Sequence, residues 1–398
     1  MLVDVDAFLS KYNDFDIRET QDSRFVDQKC TPDIVSFIAD CILNTRCANR
    51  AFTVKDLWQT EYFITNTRVA FHKPYANNPS AQNEYNKVLC QPLKLLAYAH
   101  ILKVDTTKRT LVFAVNDLPM LEYVASREHN AYLFLYKFFT RVITDSGIMR
   151  FFDEYENACK ACGFRSPQVK QAKAVLYDKY NRFIAANTPT KSVLDTTRML
   201  HKVLNVFAYT KMIPGSDSKM LDWNDLMYNK VNWRDKDKLK TLTREEASLQ
   251  EIDDINANFF IEYQVNKAIR NVKKQQGDIS EVRDELAQGV ATVVHHIFPK
   301  SEFPEIATYY ENLILLTSSQ HYQKAHPRNN THLVDRDYQL TCLMAKSKTI
   351  ENSIIAGDTF YKKESFVFVI NTGLEENIET SITFDNIRKF LVQRYLQF

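Results

Sequence analysis

Apolar residues in the first third of the chain recur at helical spacing and then change to the pattern of short strands. A helix is predicted to begin at Pro32, because Thr31 can cap it and proline suits the first helical position. Its apolar face comprises Ile34, Phe37, Ile38, Cys41 and Ile42. Two further helices are predicted over 53–63 and 80–100, and Pro92 is expected to kink or split the second.

The apolar runs 101–104 and 110–115 predict a β-hairpin around a polar turn. Three helices followed by a hairpin is the order of a winged helix, which seats one helix in the DNA major groove. A helical scaffold that packs on the rest of the protein is the alternative. The basic residues that would contact phosphate in the winged-helix interpretation are Arg68, Lys73, Lys87, Lys94 and Lys108.

The middle of the chain is predicted to be helical, with an aromatic-rich stretch over 117–145 and a long helix over 247–276 that Gly277 ends. Trp233 and Arg234 lie in a basic segment that suits contact with a DNA backbone, or equally a solvated helix end. Near the C-terminus, 366–370 resembles a strand and 384–398 an amphipathic helix.

The pattern between residues 292 and 327 is the most specific in the chain. A β-branched and apolar run over 292–298 predicts a strand that Pro299 stops, and 312–316 predicts a second strand. The segment 317–320 then offers hydroxyl caps for a helix. Two strands leading into a helix are therefore expected here.

The histidines on this frame suggest phosphodiester hydrolysis. Adjacent strand residues point to opposite faces, so His295 and His296 can have different tasks. We expect His296 to activate water as a general base, and His295 with His321 to hold one divalent ion against the phosphate. Asn312 would fix the loop after His296 through hydrogen bonds from its side chain to the backbone.

The spacing is His-His, fifteen residues, Asn, eight residues, His, four residues, His. This pattern resembles the ββα-metal finger of the HNH endonuclease superfamily, which includes colicin-type DNases and HNH restriction enzymes. By the resemblance, His295 is the first metal ligand, His296 the general base, Asn312 the middle asparagine and His321 the helix ligand. His326 lies five residues beyond His321, so it would be a further ligand only if the helix bends, and would otherwise contact phosphate.

The resemblance implies a sequence-specific type II restriction endonuclease that cleaves double-stranded DNA to 5′-phosphate and 3′-hydroxyl ends. It implies one divalent ion per site, Mg²⁺ first and Mn²⁺ or another ion as alternatives. Lys300 and Lys324, inside the finger, are candidate DNA contacts. A homodimer on DNA and a companion DNA methyltransferase are the expected partners. The alternatives are an HNH homing or repair endonuclease, and a DNA-binding regulator whose ββα unit does not cut.

The amino-acid composition limits the fold class, the source of a DNA-binding face and the state of the cysteines. With 7 glycines against 20 tyrosines and 26 phenylalanines, the chain should be well packed and mainly helical, not disordered. A net charge of +2 means that a DNA-binding face must come from local clusters of basic residues. The 7 scattered cysteines indicate reduced thiols. Without a signal peptide or a long apolar segment, a cytoplasmic bacterial protein with no membrane contact is expected.

The predicted fold is therefore mainly α with small β elements (α+β). We divide the 398 residues into a winged-helix-like DNA-recognition domain over 1–150, a basic helical region over 151–288 and an HNH nuclease domain over 289–398 with C-terminal bracing elements.

Overall fold

The computed structural model describes residues 3–71, 82–228, 262–325 and 335–396. The described chain is mainly helical with two small sheets, as predicted. It forms two compact units, one over 3–228 and one over the described residues from 262 onward. The three-domain division over 1–150, 151–288 and 289–398 stays a prediction.

The helices and strands of the first unit, in chain order, are α1 (Val5–Leu9), α2 (Ile17–Thr20), α3 (Pro32–Leu43), β1 (Phe52–Thr53), α4 (Val54–Trp58), α5 (Glu61–Phe71), α6 (Gln82–Tyr98), β2 (Leu102–Asp105), β3 (Val112–Val115), α7 (Leu118–Ser126), α8 (Glu128–Asp145), α9 (Met149–Cys162), α10 (Gln168–Asn187) and α11 (Val193–Lys211).

Those of the second unit are α12 (262–276), β4 (Ala291–His296), β5 (Leu313–Thr317), α13 (Ser318–Gln320), a π-helical turn (His321–Ala325), α14 (Arg336–Ile355), α15 (Lys363–Leu374) and α16 (Phe384–Leu396).

The helices predicted from Pro32 and over 80–100 and the hairpin are present, whereas the single helix predicted over 53–63 is divided into α4 and α5. α3 begins at Pro32, although the side chain of Thr31 forms no capping hydrogen bond. Strands β2 and β3 form the predicted antiparallel hairpin, and β1 pairs with β3 to give the sheet order β1-β3-β2. Of the two outcomes expected at Pro92, a kink or a split, the split does not occur: α6 is continuous over Gln82–Tyr98, with Pro92 buried inside it.

The strand expected over 366–370 is wrong, because these residues lie in α15. Phe366, Val367, Val369 and Ile370 are buried, whereas Phe368 is exposed, which is the periodicity of one helix face. These residues belong to the hydrophobic core of the second unit, which also contains residues of β5 and α14. Burial on a helix face has here outweighed the strand preference of β-branched and aromatic residues.

A glycine allows α15 to approach the finger closely. A Cβ atom at Gly373 would lie 2.5 Å from ring carbons of Phe298, which is below van der Waals contact. Glycine inside a helix costs about 0.5–1 kcal/mol relative to alanine. The close contact with the Phe298 ring explains why it is nevertheless present.

Two further expectations can be compared with the structure. All seven cysteines lie in the described residues and are free thiols. No helix of the described chain combines the length and apolar character that crossing a membrane requires.

Candidate active site

The finger has the expected order of strand, loop, strand and helix. β4 and β5 are antiparallel, with His295 opposite Ile314 and His296 opposite Leu313. Every residue of β5 is buried, so this strand anchors the finger in the core of the second unit. The finger helix begins in α13 and passes into the π-helical turn at His321. Such π-helical turns are frequent at functional sites.

The two adjacent histidines of β4 have different neighbours. The side chain of His295 is buried, and its ring meets the ring of His321 edge to face, with centroids 5.3 Å apart and planes at 74°. The ring of His296 instead reaches the loop, where Nε2 lies 3.0 Å from the carbonyl oxygen of Ala307. Strand alternation thus separates the two imidazoles, as the sequence predicted.

The contact with Ala307 fixes the tautomer of His296. A carbonyl oxygen can only accept a hydrogen bond, so Nε2 must carry the proton. In the neutral ring the lone pair is then on Nδ1. Burial lowers the pKa of His296, and the charge of Lys300 lowers it further, against the opposing effect of the Ala307 carbonyl. His296 is therefore held as a neutral base at neutral pH.

Asn312 links the two sides of the loop between the strands. Its Oδ1 accepts from the Phe298 N–H at 2.9 Å, and its Nδ2 donates to the carbonyls of Phe298 at 3.0 Å and Ile306 at 3.3 Å. Its own carbonyl accepts from the Ile297 N–H at 2.9 Å. The side chain is fully buried. These bonds hold the segment directly after His296, which is the geometric task that the sequence predicted.

The helix that carries His321 is fixed by a capping box. The Thr317 hydroxyl accepts from the Gln320 N–H, and Gln320 Oε1 accepts from the Thr317 N–H. Gln320 is fully buried and also accepts from the Ser280 hydroxyl at 2.6 Å and donates to Asp284 at 2.8 Å. Neither Gln320 nor Ser280 was predicted from the sequence to belong to the site. The spacing Thr317-x-x-Gln320 was a signal that could have found the first.

The structure places the predicted DNA contacts in several environments. Lys300 is exposed beside the loop, and Lys324 pairs with Glu285 at 2.5 Å. In the first unit, Lys87 is exposed on α6 and Lys94 lies half-buried two turns later, while Lys108 in the β2-β3 turn lies 3.7 Å from Asp105. Arg68 lies in α5. The predicted residues outside the described ranges are Lys73, Trp233, Arg234 and His326.

The side chains near His321 offer few ligands to a metal ion. Within the described ranges, no three or more His, Cys, Asp or Glu side chains form a group that could hold an ion. The pair His295 and His321 nevertheless supplies two imidazoles in contact. A divalent ion held there would take these two side chains as its protein donors, and water and phosphate oxygen would have to fill its other positions.

Comparisons with protein-family models, with curated proteins and with solved structures returned no match for this chain.

Proposed function

We propose that the chain is an HNH-type, divalent-metal-dependent endonuclease that hydrolyses phosphodiester bonds in double-stranded DNA. The observation that carries the proposal is the arrangement of three histidines on one ββ-helix frame. His296 is held by the Ala307 carbonyl as a base with its lone pair on Nδ1, and His295 and His321 meet as a pair. The resemblance in spacing supports the same assignment.

In the proposed reaction, His296 Nδ1 takes a proton from water as the water oxygen attacks phosphorus. The bond to the 3′ oxygen breaks, which leaves 5′-phosphate and 3′-hydroxyl ends. Asn312 is a positioning residue, because it holds the backbone that follows His296. A divalent ion bound by His295 and His321 would neutralise charge on the phosphate and on the leaving oxygen. Mg²⁺ remains the expected ion, with Mn²⁺ as the first alternative.

The test is a supercoiled plasmid incubated with the full chain and one divalent ion at a time. Ni²⁺ and Zn²⁺ belong in the series beside Mg²⁺ and Mn²⁺, because imidazole is a better donor for them. We expect nicking that EDTA stops, and a loss on the order of 100- to 10,000-fold in His296→Ala. His129→Ala, on the first unit, is the matched control. Full activity after exhaustive chelation, or in His296→Ala, would remove this site from the mechanism.

The pattern of products separates the competing functions. Discrete fragments indicate a type II restriction enzyme, a single rare cut indicates a homing endonuclease, and a smear indicates a nonspecific or repair nuclease. An intact plasmid that the protein still binds indicates a regulator with a non-cutting ββα unit. The restriction interpretation also requires a companion DNA methyltransferase that protects the same sequence.

We assign sequence recognition to the first unit. The support is a winged-helix-like arrangement in which α6 precedes the β2-β3 hairpin and β1 completes a sheet of order β1-β3-β2. Lys87 and Lys94 are seven residues apart on α6 and so share one face, and Lys108 lies in the hairpin turn. Lys87→Gln/Lys108→Gln should weaken binding to all sequences in a salt-dependent way. Unchanged binding would leave the first unit as a helical scaffold.

One finger has one base, so it cleaves one strand at a time. We propose that two protomers meet on DNA to cut both strands, since twofold pairing is the commonest way to double a site. Mixing wild type with His296→Ala should raise nicked product at the expense of linear product. A ratio of nicked to linear DNA that stays constant across the mixture would mean sequential cleavage by a monomer.

A further inference from the structure

A groove in the second unit lies outside the finger and has no assigned task. Its volume is about 670 Å³, within the range of roughly 300–1,000 Å³ typical of ligand sites. One wall is the segment 276–283, and the other is a face of α14. The residues of α14 that line it lie on one helical face and include two large apolar side chains: Leu340, Thr341, Met344, Ala345, Lys348, Thr349 and Asn352.

The lining of the groove carries more positive than negative charge. Arg283 and Lys348 line it from opposite walls, both exposed, and neither forms an ion pair with any described residue. Two other basic side chains of this unit, Lys324 and Arg388, are instead paired, with Glu285 and Glu351. The acid that lines the groove, Glu281, is buried and already paired with Lys346. The side chains that line the groove therefore carry a net positive charge, since Arg283 and Lys348 are cationic and Glu281 is the one anionic residue among the described residues that line it.

The inner wall of the groove is hydrogen-bonded to the finger. The Glu281 N–H donates to the Leu315 carbonyl at 3.0 Å, and the Leu315 N–H donates to Glu281 Oε1 at 2.9 Å. Leu315 faces Val294 in the sheet, next to His295. The Ser280 hydroxyl also lies 2.6 Å from Gln320, which precedes His321. A ligand bound in the groove would therefore contact a segment that is hydrogen-bonded to β5 and to the helix that carries His321.

We propose that this groove binds phosphates of the nucleic-acid backbone at a distance from the scissile bond, with Arg283 and Lys348 as the contacts. This inference rests on the proposed function for the identity of the ligand. The guanidinium can hold two phosphate oxygens and the ammonium another, while Thr341, Thr349 and Asn352 supply hydroxyl and amide donors. Ile279, 57% exposed, offers an apolar surface to a sugar.

The first test measures binding without cleavage. Full-length His296→Ala protein in EDTA is titrated with a fluorescent DNA duplex across a series of salt concentrations. Log K falls with log salt with a slope of about −0.9 for each phosphate contact. The double variant Arg283→Gln/Lys348→Gln should therefore reduce the magnitude of the slope by nearly 2. The matched control is Arg165→Gln/Lys389→Gln, which removes two exposed charges without described ion pairs. An equal fall in both variants, or no fall in the groove variant, overturns the proposal.

A second test needs no variant. Lysine acylation of the wild-type protein is mapped by mass spectrometry with and without duplex DNA. We expect DNA to protect Lys348 several-fold and to leave Lys389 unchanged. Equal labelling of Lys348 in both states contradicts the proposal. Protection of Lys348 by free pyrophosphate at the same phosphate concentration would assign a small-anion site instead and also overturn it.

The two proposals fail separately. If the wild type never nicks the plasmid but the groove variant has a smaller salt slope, the nuclease proposal is wrong and the groove proposal stands. If the wild type nicks the plasmid but the groove variant has an unchanged salt slope, the nuclease proposal stands and the groove proposal is wrong.

Discussion

Lys346 and Glu281 form an ion pair of 3.1 Å in which neither side chain has more than 1% of its surface exposed. Burial opposes the charge on Lys346, but Glu281 and the Tyr361 hydroxyl outweigh it, so the pKa of the lysine is raised. Tyr361 in turn accepts from Gln276 at 2.7 Å. Because Glu281 also accepts a hydrogen bond from the backbone of β5, this pair joins α14 to the finger.

Lys346→Met should destabilise the second unit by about 3–5 kcal/mol, because it leaves a buried carboxylate without its counter-charge. Adding Glu281→Gln removes that charge and keeps an acceptor for the Leu315 N–H, so the double variant should recover much of the loss. Hydrogen exchange of peptides from 281–317, followed by mass spectrometry, measures the effect. Lys348→Met, exposed on the same helix, is the control. A double variant less stable than the single one would contradict this account.

Asn312→Ala should remove the hydrogen bonds of its side chain to Phe298 and Ile306 and leave buried backbone groups without partners. Each such group costs on the order of 1–3 kcal/mol. Asn312→Asp should also lose activity, because a carboxylate cannot donate to the two carbonyls. Denaturant unfolding and plasmid nicking are the measurements, with exposed Asn386→Ala as control. Wild-type nicking by Asn312→Asp would show that the amide donor does not position the loop.

Gly373→Ala should be unfavourable, although alanine normally stabilises a helix by about 0.8–1 kcal/mol relative to glycine. The new methyl group would meet the Phe298 ring and displace the loop that follows His296. We expect lower thermal stability and slower nicking. The comparison variant is Gly357→Ala, where a φ of +75° strains alanine, so a lower melting temperature is expected there too but no change in the nicking rate. A rise in melting temperature with unchanged nicking would mean that Phe298 relaxes without effect on the site.

The nicking rate should depend on the protonation of His296. Burial lowers its pKa below the ordinary value of about 6.5, so the rate should fall only as the pH falls through that lowered value. Lys300→Gln removes a charge that lowers the pKa of His296. The acid limb of the pH–rate profile should therefore move to higher pH, by a small amount because Lys300 is exposed. Single-turnover nicking from acid to neutral pH measures both. The control variant Lys363→Gln should leave the acid limb of the pH–rate profile at the same pH.

The same shift affects stability. The unfolded chain binds a proton at His296 at a higher pH than the folded chain, so protonation favours unfolding. The contribution is fully present above about pH 6.5 and is lost as the pH falls through the folded value. If the nicking rate instead falls already above neutral pH, the group that titrates in the nicking assay is not His296.

The sequence by itself determined the local elements of the finger. β-branched and apolar residues form both strands, and Thr317 caps the helix, because each of these effects acts within a few residues. β4 ends at His296, three residues before the predicted stop at Pro299. The different neighbours of His295 and His296 also followed from sequence, since strand alternation has a fixed period of two.

Only the tertiary structure decided the contacts that join distant segments. The run 366–370 is helical because α15 buries one face in the core, and no local pattern encodes that partner. The Ala307 carbonyl at His296, the fit of Gly373 against Phe298 and the pairing of Glu281 with Lys346 each bring together residues from separate parts of the chain. Such contacts depend on how whole elements pack, and packing complementarity is a property of the assembled core.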